Sequence, residues 1–382
     1  MEWEIFNSQN GLMRDGCLHV FEDAEGNIWC TGGERGASVF DGTQWTNFRK
    51  EDGLISSPTV KYLVDSQGNV WLSDISGRSS RFDGRQWTKI PIKYGGLFFE
   101  DSKKNIWIGG GGIYNYKNPN NYVRFTEKNG LAGSFISVIF EDSNNILWIG
   151  TNKGVSAFDG NHWTSYNAKN GLTSKTVSEI VEDKKGNIWV GTHGGLFRYD
   201  GRSWSRFTKE DGTLPTNDVL LVKTDAAGNI WVGLGGHSHL SGTRGLIPAM
   251  IGAVSDLTHK SGVLKFDGEE WVAFSGKGSS PPVTVSQIEI DSRDNIWCNS
   301  ITKGIYLYDG EKWTKFSKEE GFFANRFYGF EEDSHGNIWL ATWSGLLFFD
   351  GQNWTQYSID NGLFAEKVLS LIHISEPTRQ LT

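Results

Sequence analysis

Residues 176–207 read TVSEIVEDKKGNIWVGTHGGLFRYDGRSWSRF, and the chain contains variations of this phrase eight times. A typical copy has a turn Asp, an Asn-Ile-Trp run, an Asp-Gly turn and a second Trp. Self-similarity at a period of roughly 40 residues indicates a repeat architecture. The first Trp of each copy lies at Trp29, Trp71, Trp107, Trp148, Trp189, Trp231, Trp297 and Trp339.

One copy predicts four short β-strands. The runs that begin at Val177, Ile188, Gly195 and Trp204 are rich in β-branched and aromatic residues and are separated by turn signals. Gly and Asn between the runs supply the positive φ angles of tight hairpins. No copy holds a 3.6-residue periodicity long enough for a helical repeat. The sequence therefore predicts an all-β fold, a β-propeller of seven or eight four-stranded antiparallel blades.

The number of blades stays open at this point. The chain begins with a strand-four sequence, Trp3 to Phe6, which could complete the seventh copy and close a ring of seven near Gly310. Alternatively, all eight copies form one ring. The count of copies favours eight blades.

Repetition gives most tryptophans and turn aspartates a structural explanation. A second Trp series, with Tyr122 in place of one Trp, lies near the end of the copies, and the two series account for 16 of the 17 tryptophans. Large aromatic side chains at fixed phase are expected to pack one blade against the next. The turn aspartates recur in nearly every copy, whereas a catalytic group is needed once. Only Trp343 lies outside both series.

Composition excludes several classes of function. The net charge is -8 and no basic cluster occurs, which argues against nucleic acid as a partner. No apolar run approaches the length of a membrane span. The three cysteines have no metal-ligand spacing, and Cys30 and Cys298 are predicted to be unbridged apolar fillers. We expect neither a cofactor nor a metal ion.

The repeats define the expected domain boundaries. We expect propeller repeats over residues 1–368, starting in the last strand of a blade, with an insertion at 235–261 in the sixth copy. Residues 369–382 are expected to be an artefactual tail, because LSLIHISEPTR at 369–379 resembles the translation of a sequencing-library adapter. The parent protein is expected to continue beyond this fragment.

The repeated phrase resembles a known family. From Gly171-Leu172 through Asn187-Ile188-Trp189 to Gly195-Leu196, the chain is similar to the two-component regulator propeller repeat. The resemblance implies an extracytoplasmic sensor of the kind found in bacterial histidine kinases, often concerned with polysaccharides, or a related secreted protein. It also implies a periplasmic or extracellular location. A kinase or a second propeller would then belong to the parent chain. The resemblance favours seven blades, whereas the count of copies favours eight.

Variation between the copies indicates where a site would lie. The loops between strands two and three and between strands four and one differ most, and variable loops on a rigid scaffold are where binding concentrates. An aromatic residue such as Trp343 suits a sugar ring, and Arg or Lys side chains suit carboxylates. The candidate ligand-binding residues are Trp343, Arg326, Arg35, Lys303, His193, Asp74, Phe135 and Asn152.

The leading functional hypothesis is a noncatalytic, ligand-sensing propeller that binds a small molecule or an oligosaccharide. The first alternative is a propeller enzyme acting on a glycan, either a lyase or a hydrolase, because a similar repeat occurs in a lyase of streptogramin antibiotics. Against it, no nucleophile and base stand apart from the repeat. The second alternative is a plain protein-interaction scaffold.

Overall fold

The computed structural model describes residues 9, 11–13, 19–33, 36–55, 59–74, 76–92, 94–172, 174, 176–235, 262–274, 285–300, 304–317, 327–342, 344–358 and 371. Within these residues the protein is all-β, with eight four-stranded antiparallel sheets. Each sheet is a meander in which consecutive strands pair, which is the architecture of a propeller blade. The described helical structure is limited to two 3₁₀ turns, Lys50–Asp52 and Glu127–Asn129.

The strands follow the sequence copies one for one. Blade one consists of β1 His19–Glu22, β2 Ile28–Gly33, β3 Gly36–Phe40 and β4 Trp45–Phe48; blade two of β5 Thr59–Val64, β6 Val70–Asp74, β7 Ser79–Phe82 and β8 Trp87–Ile90; and blade three of β9 Leu97–Glu100, β10 Ile106–Gly110, β11 Gly112–Asn118 and β12 Asn121–Phe125. Blade four consists of β13 Ile136–Glu141, β14 Leu147–Thr151, β15 Gly154–Phe158 and β16 Trp163–Tyr166; blade five of β17 Val177–Glu182, β18 Ile188–Thr192, β19 Gly195–Tyr199 and β20 Trp204–Phe207; and blade six of β21 Val219–Thr224, β22 Ile230–Leu234, β23 Val263–Phe266 and β24 Trp271–Phe274. Blade seven consists of β25 Val285–Ile290, β26 Ile296–Ser300, β27 Gly304–Tyr308 and β28 Trp313–Phe316, and blade eight of β29 Gly329–Glu332, β30 Ile338–Thr342, β31 Gly345–Phe349 and β32 Trp354–Tyr357.

The fold is an eight-bladed β-propeller, which confirms the predicted class and favours the higher of the two predicted blade numbers. The seventh sheet has its own fourth strand, because Trp313–Phe316 pairs with β27. It therefore does not need the first residues of the chain to complete it. The sequence Trp3 to Phe6, on which the seven-bladed alternative depended, lies outside the described residues.

The chain forms two compact units. One comprises Met1–Phe98 with Phe327–Thr382 and contains blades one, two and eight; the other, Phe99–Arg326, contains blades four to seven and nearly all of blade three. In blade six, β22 and β23 are neighbours in the same sheet although residues 235–262 separate them in sequence. The predicted insertion at 235–261 therefore falls between these two strands.

A hydrogen bond between Asp and Trp recurs in all eight blades. In blade five, Asp183 accepts hydrogen bonds at Oδ1 from the backbone N–H groups of Lys185 and Asn187, and at Oδ2 from Trp189 Nε1, at 2.8 Å. One carboxylate thus closes the turn between strands one and two and satisfies the indole of a Trp that is 0% exposed. The equivalent pairs are Asp23–Trp29, Asp65–Trp71, Asp101–Trp107, Asp142–Trp148, Asp225–Trp231, Asp291–Trp297 and Asp333–Trp339.

Aromatic clusters join neighbouring blades within each unit. Each cluster has four aromatic residues. One blade contributes its first Trp and the aromatic residue that ends its strand four, and the next blade contributes the aromatic residue that ends its strand three and its second Trp. In the cluster between blades five and six, Trp189 stacks on Phe207 and meets Trp271 edge-on at 6.3 Å. The other clusters are Trp29–Phe48–Phe82–Trp87, Trp107–Phe125–Phe158–Trp163, Trp148–Tyr166–Tyr199–Trp204 and Trp231–Phe274–Tyr308–Trp313.

The cysteine prediction is half wrong. Cys298 is a free, buried thiol as expected, and burial raises its pKa well above the usual value. Cys30 on β2, in contrast, is disulfide-bonded. The sequence could not indicate this because disulfide pairing depends on the approach of two Cα atoms, which residue spacing does not give.

Replacing Asp183 tests the role of the turn carboxylate. We expect Asp183→Ala to lower the free energy of unfolding by about 1–3 kcal/mol, because the buried indole of Trp189 loses its acceptor. Asp200→Ala is the matched control in the same blade: Asp200 forms the exposed turn between strands three and four and bonds to no Trp. Denaturant titration of both variants measures the difference. Equal losses would contradict the special role of the Asp–Trp bond.

Candidate functional site

Two positions in each blade vary while their surroundings repeat. The first, the hairpin position, follows the Thr that ends strand two; it is Asn152, His193 and Trp343 in blades four, five and eight. The second, the interblade position, lies in the loop that connects one blade to the next. It is the fourth residue after the Leu or Phe near the start of that loop. It is Phe135, Thr176, Asp218 and Arg326 in blades four, five, six and eight.

Backbone hydrogen bonds bring the two positions together. The loop before blade four is held on one side by the bond from Gly112 N to Ser134 O and on the other by the bond from Asn152 N to Phe135 O. The loop before blade six has the same arrangement: Gly195 N donates to Asn217 O, and Gly235 N donates to Asp218 O. Each of these two interblade loops is therefore fixed to the hairpins of both adjacent blades.

The structure describes four of the eight candidate residues. Phe135, Asn152, His193 and Asp74 lie within the described ranges, whereas Trp343, Arg326, Arg35 and Lys303 lie outside them. Phe135 and Asn152 contact each other. His193 contacts Asp218, a residue that the sequence placed in a variable loop but not among the candidates.

Phe135 is an exposed aromatic side chain on a fixed backbone. It is 71% exposed. Its carbonyl accepts from Asn152 N at 3.1 Å, and it forms an antiparallel bridge with Gly111. An apolar ring that is held in solvent in this way is ready to stack on a ligand, because little conformational entropy remains to be lost.

A charged pair flanks Phe135. Lys153 Nζ lies 2.9 Å from both carboxylate oxygens of Glu127, and Ser134 Oγ donates to Glu127 at 3.2 Å. The hydrogen bond from Lys153 lowers the pKa of Glu127 and so favours its ionised carboxylate. The two charges largely cancel each other at the surface.

His193 and Asp218 link blade five to the loop before blade six. His193 Nδ1 is hydrogen-bonded to Asp218 Oδ1, and the Asp218 side chain is 6% exposed whereas that of His193 is 36% exposed. The hydrogen bond to Asp218 raises the pKa of His193 above its usual 6.5, and burial, which acts in the opposite direction, is the smaller effect. The arrangement presents an imidazole to solvent that can accept or donate a proton near neutral pH.

Asp74 has a different environment from the other candidates. It is buried, and it occupies the place of the strand-two Thr rather than the hairpin position. Its Oδ1 accepts from Ser76 N and Arg78 N, and its Oδ2 accepts from Arg78 Nε at 2.7 Å. With both oxygens engaged inside its own hairpin, Asp74 is better explained as a residue that shapes the loop.

The sequence could have indicated Asp218. When the copies are aligned, Asp218 occupies the interblade position that Phe135 and Arg326 occupy in other blades. An acidic residue at this position, next to a hairpin that contains His193, suggests a hydrogen-bonded His–Asp pair. No alignment of the copies gives the contact itself, because the two residues belong to different blades.

The sequence profile of the two-component regulator propeller matches residues 130–153, 171–194 and 321–344. These three segments are similar to the two-component regulator propeller repeat. Each matched segment begins at an interblade loop and ends at a hairpin, so each contains both variable positions. The resemblance inferred from the repeated phrase is confirmed.

Solved structures similar to this chain are propellers with low sequence identity. One is the extracellular domain of BT4673 from B. thetaiotaomicron, assigned as a hybrid two component system, with 18% identity and a TM-score of 0.48. The match covers 94% of this chain and 49% of that one, so the chain spans about half the length of that domain.

Two further structures come from proteins of different kinds. Virginiamycin B lyase from Staphylococcus aureus, in a catalytically inactive form with quinupristin, is 14% identical over 78% of this chain and 94% of its own, with a TM-score of 0.46. PorZ from Porphyromonas gingivalis, a surface component of the type-IX secretion system, is 15% identical over 91% of this chain and 59% of its own, with a TM-score of 0.42. These matches carry no argument about ligand or activity. No curated protein sequence matches the chain.

Within the described ranges, no helix is long and apolar enough to cross a membrane. The same ranges contain no group of three His, Cys, Asp or Glu side chains placed to hold a metal ion.

The pKa of His193 tests the contact between blade five and the next loop. Because the folded-state pKa is raised, the bond stabilises the fold fully below the unfolded pKa of about 6.5 and its contribution disappears as the pH rises through the folded pKa. An NMR titration of the imidazole should give a value above 6.5, and Asp218→Asn should lower it. His162, an exposed histidine on a turn of blade four, is the internal reference. An unchanged value for His193 in the variant would contradict the pairing.

Proposed function

We propose that the chain is a noncatalytic, extracytoplasmic ligand-sensing propeller, the sensor part of a two-component signalling protein, and that it recognises carbohydrate. The three segments that match the two-component regulator propeller model support the signalling role. The observation that carries the ligand-binding role is the exposed ring of Phe135 on a loop that two hairpins hold in place. A ring held in this way can stack on a ligand with little further loss of conformational entropy.

The two variable positions support a ligand site along the loops. Their backbone environment repeats, but the side chains change between aromatic, amide, acidic and basic types. Rigid backbone with variable side chains is how a propeller presents different chemistry to a ligand without changing its fold. Trp343 and Arg326 occupy these two positions in blade eight, which keeps both in the proposal.

The disulfide at Cys30 supports an extracytoplasmic location. Structural disulfides form and persist in oxidising compartments and are rare in the cytosol. The histidine kinase, or a second propeller through which the signal passes, would belong to the parent chain.

A second function has one observation in its favour. The His193–Asp218 pair has the arrangement of a general base, a partly exposed imidazole oriented by a buried carboxylate. A propeller enzyme acting on a glycan would use such a group. Incubation with acidic and neutral oligosaccharides, followed by product analysis, separates this function from binding alone; release of shorter sugars that His193→Gln abolishes would establish the enzyme.

Ligand binding is tested with aromatic substitutions at the loops. We expect Trp343→Ala and Phe135→Ala to weaken binding of an oligosaccharide found by thermal-shift screening by about 1–3 kcal/mol each, the range of an aromatic hot spot. Val272→Ala removes an exposed apolar side chain from an outer strand and serves as the control. Calorimetric titration measures the affinities, and equal affinity in all four proteins would place the site elsewhere.

Alkylation tests the cysteine assignment behind the proposed location. In denatured but unreduced protein from an oxidising compartment, iodoacetamide should label Cys298 and leave Cys30 unlabelled. After reduction, both should be labelled, as peptide mapping by mass spectrometry will determine. Labelling of Cys30 before reduction would remove the support that the disulfide gives to an extracytoplasmic location.

A further inference from the structure

The hairpin between strands two and three of blade three has no side chains. Residues 109–112 are four consecutive glycines, whereas the equivalent hairpins of blades four and five carry Asn152-Lys153 and His193. Gly112 has φ +115°, and a Cβ there would lie 2.5 Å from the carbonyl oxygen of Phe125. A side chain is therefore excluded at Gly112, and this hairpin exposes backbone where the equivalent hairpins carry side chains.

Arg124 reaches across to this bare backbone. Its Nε donates to Gly111 O at 3.1 Å and its Nη2 donates to the same oxygen. The guanidinium lies 5.5 Å from the centre of the Tyr114 ring, which is paired with Arg124 across β11 and β12. One carbonyl and one ring thus fix the orientation of an exposed guanidinium, and its remaining N–H groups are left for other acceptors.

Phe135 meets the same glycine from the other side. It bridges to Gly111, and Gly112 N donates to the carbonyl of its neighbour Ser134 at 2.8 Å. The backbone of Phe135 and the guanidinium of Arg124 are therefore both held at Gly111. The glycine hairpin itself contributes no side chain to the space around Gly111.

Charge on this patch is not balanced. The neighbouring Glu127 is paired with Lys153, so these two charges offset each other. Arg124 has a carbonyl and a ring as its described partners rather than a carboxylate. Among the described residues of the patch, one positive charge is left in excess, next to an apolar ring.

We infer that Arg124 and Phe135 form a subsite for a ring compound that carries a carboxylate. The planar fork of an arginine matches the two oxygens of a carboxylate, and a fixed phenyl ring stacks on the apolar face of a sugar or an aromatic ring. The inference rests on the proposed ligand-binding function and adds a preference for an acidic ligand. Two sources share this chemistry, namely uronic acids and aromatic carboxylic acids.

Matched ligands and matched variants test the subsite. The probes are glucuronate and glucose as one pair, and 4-hydroxyphenylacetate and 4-hydroxyphenethyl alcohol as the other, so that each pair differs chiefly in the carboxylate. Binding is followed by calorimetry and by the ¹⁵N NMR signal of the Arg124 Nε–H in the wild-type protein. Arg124→Gln and Phe135→Ala alter the subsite, while Arg202→Gln removes an exposed arginine from a turn between strands three and four of blade five.

We expect at least one carboxylate to bind about tenfold or more tightly than its neutral partner, and to shift the Arg124 signal. Arg124→Gln should abolish that preference, Phe135→Ala should weaken both members of the pair, and Arg202→Gln should change neither. Which acid binds distinguishes the sugar source from the aromatic source.

Three results would overturn the inference: no binding of either acid, no shift of the Arg124 signal on binding, or an acid preference that survives Arg124→Gln. The NMR measurement uses the unaltered protein, so it decides the question even if a variant folds poorly. Binding of a neutral oligosaccharide that depends on Trp343, with no response at Arg124, would reject this subsite and leave the proposed sensing function in place.

Discussion

The fold depends on one carboxylate per blade. An Asp in the turn between strands one and two uses one oxygen to close the turn and the other to bind the indole N–H of a buried Trp, as Asp183 does for Trp189. An indole N–H that is buried without an acceptor costs free energy, so the Asp makes it possible to bury the indole of a Trp between neighbouring blades, as in the cluster around Trp189. The Asp that accepts this hydrogen bond belongs to the same blade as the Trp. The orientation of the indole ring is therefore set within one blade, independently of the aromatic residues of the next.

Repetition explains how much of the fold could be read from the sequence. Eight copies of the same phrase specify strands, turns and the phase of the tryptophans together, and the structure agrees with each of them. The Asp–Trp bond was not foreseen, since the Asp had a sufficient explanation as a turn residue. The disulfide at Cys30 was also missed, because spacing along the chain says nothing about which cysteines approach each other.

The candidate site was less predictable, for a physical reason. Variation between copies identifies the loops, but contacts between loops join residues of different blades, as His193 and Asp218 show. Asp74, another candidate, ends strand two and is buried, with its carboxylate hydrogen-bonded inside its own hairpin. Arg124 was overlooked because it belongs to a strand, and only the missing side chains of the neighbouring glycine hairpin make its position significant.

The hydrogen bonds that hold the loops before blades four and six between two hairpins also limit how such a surface can evolve. A point substitution at Phe135 or Asp218 changes a side chain and leaves the two backbone bonds of the loop intact. An inserted residue would have to be absorbed by both neighbouring blades at once. New specificities should therefore arise in these loops by exchange of residues at constant length. Longer segments are then more easily accommodated inside a single hairpin, as between β22 and β23.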